Sequence, residues 1–375
     1  MTPTSRRRRA CFIAAMAALA LTVPLAASNA TAAPPSVRPG VVCTEPLQQV
    51  TVTVVKKGKK VKVRYICLQD KASPETWKWA LYVATQHPPF AIPAASTWKV
   101  IPEPEVGGDP NQLTNAKQGL ARLASELNYR WIEVNVEGGK TITAAVWAPK
   151  GADDLPVVVF FHGTAGMIYW EYEFAATLAR AGYVVVAPVW FARTQFQDGF
   201  FPVGNMPGLI QNANAPSFTG ANVETARTLL PVLRAAMDQP EADSARMALS
   251  GNSRGGTMAM IQAVTTPGMK AVIPIVAPYM VPQMNSPMYR GQVWEVLPSS
   301  VVAKMTTPTL VIAGTKDQVV PPASTQNFID SAAKAGRPNI EYLWVDGPHQ
   351  IAFSFNSVTH GQVRQATLDF LAEHV

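Results

Sequence analysis

The rhythm of apolar positions changes near residue 129, and that change divides the chain before any motif is considered. Upstream, "QVTVTVV" (49–55) and "VKVRYICL" (61–68) alternate apolar and polar residues with the period of two expected of half-buried strands. The "KKGKK" between them reads as the solvated turn of a hairpin. "SPETWKWALYVATQ" (73–86) puts Ser73 at an N-cap and Pro74 at the first helical position, and predicts a helix. The proline-rich run 87–110 predicts a loop. "QLTNAKQGLARLASELN" (112–128) aligns Leu113, Leu120, Leu123 and Leu127 on one helical stripe.

Downstream the pattern becomes regular. "RWIEVNVEGGKTITAAVWAP" (130–149) predicts two strands joined at Gly138-Gly139. Short apolar runs without polar alternation follow: "VVVFF", "YVVVAPV", "RMALSG", "AVIPIVA", "TLVIAG" and "IEYLWVDG". Strands buried on both faces look like this, because helices cover both sides of a parallel sheet. Helical patterns such as "EYEFAATLARAG", "NVETARTLLPVLRAAM" and "SRGGTMAMIQAV" lie between most of them. The alternation predicts a doubly wound α/β architecture over residues 129–375, opened by an antiparallel hairpin, with 34–128 as a small accessory segment. Residues 191–218 lack any period and predict a site-forming loop.

Composition changes the picture mainly at the N-terminus. Four consecutive arginines (6–9), an almost wholly apolar stretch (10–25) and the small residues of "ASNATAA" have the three-part plan of a secretory signal peptide, here placed at residues 1–33. The mature chain is then expected to be secreted or periplasmic, with no stable membrane span; an uncleaved anchor is the alternative, and the export route stays open between the general and twin-arginine systems. Without the leader the formal charge of +7 falls to about +3, which removes any electrostatic case for nucleic acid. Of the three cysteines, Cys11 leaves with the leader, so Cys43 and Cys67 predict one disulfide, with two free thiols as the alternative.

The chemistry gathers at four places. In Gly251-Asn252-Ser253-Arg254-Gly255, a predicted strand turns into a predicted helix around a serine, the arrangement that lifts a nucleophilic hydroxyl above the sheet. A serine needs a base, and the base an orienting acid. Of the five histidines (87, 162, 349, 360 and 374), His349 alone follows directly on the last predicted strand, at the edge where open parallel sheets bind ligands. Asp317 lies just past the preceding strand; Asp346 and Asp330 are worse placed. Thr164 and Arg254 are the expected oxyanion-hole donors through their backbone N–H groups, with His162 as a packed loop histidine. Met167, Tyr169, Trp170, Trp190, Phe191 and Tyr279 are candidates to line an acyl pocket, most of them equally suited to the core, and Arg193 or Arg254 to meet an acidic substrate, with Arg254 solvated at the helix start as the alternative.

On "HGTAG", "GNSRGG", "GTKDQVVPP" and "GPHQIAF", residues 130–375 resemble the α/β-hydrolase superfamily, most nearly its dienelactone-hydrolase-like and secreted esterase members. The resemblance implies a mostly parallel central sheet, an acyl-serine on Ser253 with His349 and Asp317 behind it, no metal or organic cofactor, and a small-molecule or polymeric ester as substrate. Two departures accompany it: dienelactone hydrolases proper carry cysteine where this chain has Ser253, and the triple-glycine oxyanion loop of many lipases is absent. A peptidase of the prolyl-oligopeptidase type shares the triad order, but the segment before residue 129 is too short and repeat-free for the propeller such enzymes carry. An exported binding protein on a silent hydrolase scaffold is the third reading.

Overall fold

The computed structural model describes residues 37, 41–43, 49–56, 58–69, 77–81, 89–104, 118–119, 121–164, 166–167, 169–190, 223–279, 305–353 and 357–375. Its main feature is a nine-stranded sheet. The strands are β4 (Trp98–Ile101), β5 (Leu127–Val136), β6 (Lys140–Pro149), β7 (Leu155–Phe161), β8 (Val184–Pro188), β9 (Ala242–Asn252), β10 (Ala271–Ile275), β11 (Thr309–Gly314) and β12 (Ile340–Val345). Their spatial order is β12-β11-β10-β9-β7-β8-β6-β5-β4. From β8 to β12 every pairing is parallel, whereas β4, β5, β6 and β8 pair antiparallel. The predicted opening hairpin is β5–β6, turning through Glu137–Gly139 with both glycines at positive φ.

Helices close both faces. They are α1 (121–126), α2 (Tyr169–Arg180), α3 (Val223–Thr228), α4 (Leu230–Met237), α5 (Arg254–Thr265), α6 (Pro322–Lys334) and α7 (Val358–His374). Strand β7 shows why the apolar runs lack alternation. Val157, Val159 and Phe161 pack with α3, α4, α5 and Phe328 of α6 on one side, while Val158 and Phe160 pack with α1, α2 and α7 on the other. All five side chains are fully buried. Each residue of such a strand faces one apolar layer or the other, so polar positions are selected out. Among the described residues no helix is long and apolar enough to cross a membrane.

The upstream segment departs from expectation in three places. Residues 73–86 were predicted helical, yet Trp77–Leu81 form β3, antiparallel to β2 (Lys59–Gln69), which pairs with β1 (Gln49–Lys56) as the predicted hairpin. The Trp-Lys-Trp-Ala-Leu alternation suits a pleated partner for β2, and pairing overrides a capping signal that offers only local support; Ser73 and Pro74 lie outside the described residues. Within the run predicted as loop, Trp98–Ile101 add β4 to the main sheet, paired with β5 at Trp98↔Val134. Leu127, expected on the helical stripe, instead opens β5. Leu123 of α1 is fully buried, and Phe90, Ile92 and Trp98 pack against the core. The sheet therefore begins inside the segment expected to be accessory. Ion pairs reinforce that junction: Arg122 of α1 binds Glu173 of α2, and Arg180 of α2 reaches back to Glu126 at 2.6 Å.

Cys43 is disulfide-bonded. Cys67 stands on β2 opposite Trp79, with its side chain outside the described residues.

Candidate active site

The turn from β9 into α5 is as tight as the sequence implies. A Cβ on Gly255 would lie 1.9 Å from Phe161 O, and one on Gly251 would lie 2.4 Å from the Gly255 backbone. Neither position has room for a side chain. Between them Ser253 takes φ 52°, ψ −120°, one of three positive φ values at non-glycine residues among those described. Strain of this kind persists where the surroundings enforce it, and the Ser253 N–H is pinned to Ile275 O at 2.8 Å. Serine is among the best N-cap residues, yet Ser253 makes no side-chain cap bond to α5. Its hydroxyl is thus withheld from the helix it precedes, at the carboxyl end of β9.

Two strands along that edge, Asp317 follows β11. It is buried, and its Oδ1 accepts from Val319 N and Val320 N, each at 2.8 Å. Those bonds fix the carboxylate so that Oδ2 faces His349, whose Nδ1 is 2.7 Å away. The acid is 3% and the imidazole 13% exposed, so the pair is shielded but the ring keeps an open edge. The loops carrying them touch closely: a Cβ on Gly314 would meet Gly347 O at 2.5 Å, and Lys316 N–H donates to Gly347 O at 3.0 Å. The rejected acids sit elsewhere. Asp346 is exposed and paired with Lys316 at 2.9 Å, which also removes Lys316 as an ion-pair partner for Asp317; Asp330 lies on α6, bonded to Gln326.

The loop after β7 lies against the elbow. A Cβ on Gly163 would stand 3.4 Å from Ser253 Cβ and 3.0 Å from Asn252 Nδ2. Thr164 follows, and among the described residues its N–H has no acceptor. Arg254, at the first position of α5, is 2% exposed, so its side chain is packed rather than solvated. His162 is fully buried and donates from Nδ1 to Gly163 O at 2.8 Å. Burial pushes its pKa down to about 4, with the Arg254 charge lowering it further and the Gly163 bond opposing. It is a neutral, packed histidine, as expected.

The pocket candidates divide. Met167, Trp190 and Tyr279 are core side chains: Trp190 lies tilted over His162 at 5.7 Å and donates to His162 O, and Tyr279 stacks on Phe328 at 4.4 Å. Among the described candidates only Trp170, 36% exposed, has the accessibility of a wall. Apolar size alone does not separate pocket from core, which explains the mismatch. The side chain of Tyr169, and Phe191, Arg193 and His87, lie outside the described residues. Ser357 caps α7 by accepting the His360 N–H, and His360 donates from Nδ1 to Ala352 O, a structural role; His374 packs on Phe370. Sequence reasoning missed Glu171, a buried carboxylate that takes the Gly163 N–H at 2.9 Å and Asn252 Nδ2 at 3.2 Å.

Comparison with solved structures agrees on the fold. An esterase from Pyrococcus furiosus, Pf2001, is similar at 16% identity over 73% of this chain and 98% of its own, with a TM-score of 0.54. A putative dienelactone hydrolase from Klebsiella pneumoniae is similar at 18% identity over 63% and 95%, with a TM-score of 0.50. No match is found among curated protein sequences. The model of the dienelactone hydrolase family matches residues 142–356, a span that holds the turn at Ser253, the loop after β7 and the Asp317–His349 pair. The chain belongs to the dienelactone hydrolase family, with the α/β-hydrolase fold.

Proposed function

We propose that this hydrolase is an exported serine esterase that cleaves carboxylic esters through an acyl-serine intermediate. The observation that carries the reading is the 2.7 Å bond from His349 Nδ1 to Asp317 Oδ2, at the sheet edge that also carries the uncapped Ser253. With Nδ1–H committed to the carboxylate, the neutral ring keeps its lone pair on Nε2, the tautomer a general base requires. One strand separates β9 from β11, so their ends stand roughly 10 Å apart. An imidazole on the loop after β12 is the length needed to connect a carboxylate at one end with a hydroxyl at the other.

In this mechanism Nε2 takes the Ser253 proton as Oγ attacks the ester carbonyl. The oxyanion is met by the N–H groups of Thr164 and Arg254, at the N-terminal end of α5, where the helix dipole favours negative charge. Collapse expels the alcohol, protonated by His349, and leaves acyl-Ser253. Water, deprotonated by the same ring, releases the acid. The serine here in place of the cysteine of dienelactone hydrolases proper has a hydroxyl of high pKa, so it relies on the base throughout. The leader at residues 1–33 supports export, and an exported chain suits a Cys43–Cys67 disulfide.

The test is covalent labelling with a fluorophosphonate, followed by hydrolysis of p-nitrophenyl acyl esters of graded length. Labelling that vanishes in Ser253→Ala and accompanies ester turnover is the expected result. Folded wild-type protein that takes no label, or that turns over aminoacyl anilides alone, would overturn it.

A further inference from the structure

Gly163 is held at both of its polar atoms. Its N–H donates to Glu171 Oε1 at 2.9 Å; its carbonyl oxygen accepts from Gly166 N–H at 3.2 Å and from His162 Nδ1 at 2.8 Å. The same Glu171 oxygen also accepts from Asn252 Nδ2 at 3.2 Å. Glu171 is 1% exposed, in the first turn of α2. One carboxylate oxygen therefore joins three pieces of chain: the loop after β7, the start of α2 and the residue immediately before Ser253.

A surface glutamate would serve the helix dipole equally well, and burying a carboxylate is costly. What burial achieves here is geometric. A peptide unit is planar and trans, so the Gly163 carbonyl and the Thr164 N–H point in opposite directions. Fixing Gly163 at its N–H and its carbonyl fixes the direction of the Thr164 N–H. We propose that Glu171 is a positioning residue for the oxyanion hole, tying Gly163 to Asn252 so that the Thr164 donor keeps its place relative to Ser253. The proposal rests on the esterase reading above. It follows that removing the acceptor leaves the buried Gly163 N–H unsatisfied, and the loop must turn to satisfy it, carrying Thr164 away from the hydroxyl.

The test uses the full chain with p-nitrophenyl esters and compares Glu171→Met, of similar length but without an acceptor oxygen, with Glu171→Gln, whose amide oxygen accepts from both donors. The expected result is a fall in kcat of about 10- to 100-fold per folded molecule in the Met variant, with KM within about threefold, and recovery of most of that loss in the Gln variant. A purely structural role would lower the folded fraction seen by circular dichroism and leave kcat per folded molecule unchanged. Unchanged kcat in Met, or equal losses in Met and Gln, overturns the proposal. If the Met variant does not fold, Asn252→Ala is read in its place: it removes one donor and leaves the carboxylate on Gly163, and unchanged kcat there is equally fatal. A wild-type protein that neither labels nor hydrolyses esters would instead overturn the esterase reading itself, and the positioning role with it.

Discussion

Asp317 divides its two oxygens between backbone and ring: Oδ1 takes the N–H groups of Val319 and Val320, and Oδ2 takes His349 Nδ1. The first pair of bonds makes the carboxylate rigid, and the third then orients an imidazole rather than following it. Asp317→Asn keeps the volume but can present an N–H to Nδ1, which favours the tautomer with its proton on Nε2 and removes the base. The expected outcome is a kcat lower by about 10³- to 10⁴-fold with the melting transition little changed, the loss seen when a triad acid is amidated in serine proteases. Asp346→Asn, which removes only an exposed ion pair, serves as the control and should retain ester turnover. A retained rate in Asp317→Asn would remove the acid from the mechanism.

The elbow makes a steric prediction. A methyl group at residue 255 would sit 1.9 Å from the Phe161 carbonyl oxygen, and the obstacle is backbone of a central strand that cannot swing aside. Gly255→Ala should therefore abolish soluble expression or destabilise the fold by more than about 3 kcal/mol, beyond an ordinary core mutation. Urea titration measures it. A shift of under 1 kcal/mol would mean that β7 and α5 stand farther apart than described.

The candidate site was legible because each of its parts has a local signature that the fold then places. An apolar run followed at once by a polar residue marks a strand end, and the order of Ser253, Asp317 and His349 follows the order of strands β9, β11 and β12. Glu171 had no such signature. An acid in the first turn of a helix is what the dipole alone would favour, so nothing local distinguished it from a solvated neighbour. Strands β3 and β4 were missed for a related reason. Five and four residues long, they owe their form to β2 and β5, and neither partner can be named from the segment itself. Apolar size left Trp190 and Tyr279 undecided, since it suits a pocket wall and a core equally, and the structure buries both.

The position of Leu123 makes the junction of the two segments testable. Its side chain is fully buried in the apolar cluster on the α2 and α7 side of the sheet, although it precedes the expected start of the hydrolase unit. Leu123→Ala should cost about 2 to 5 kcal/mol in chemical unfolding, in the same cooperative transition that abolishes ester turnover. If α1 belonged to a separate accessory unit, the variant would unfold in a distinct first phase and leave activity intact.

His162 sets a pH dependence of known sign. Its folded pKa of about 4 lies below the ordinary 6.5, because the ring is buried and the Arg254 charge opposes protonation. The unfolded chain takes up this proton first as the pH falls, so the neutral ring's contribution is complete above about pH 6.5 and is lost progressively towards pH 4. Across that window the loss amounts to about 3 kcal/mol. His162→Phe keeps a ring against Trp190 and cannot titrate. It should lower stability by a fixed amount at neutral pH, through the missing bond to Gly163, and then lose about 2 to 3 kcal/mol less than the wild type between pH 7.5 and 4.5. Urea unfolding at a series of pH values provides the comparison. Parallel curves for the two proteins would show that His162 carries its proton in the folded state well above pH 4, and would contradict the dry, neutral environment beneath Trp190.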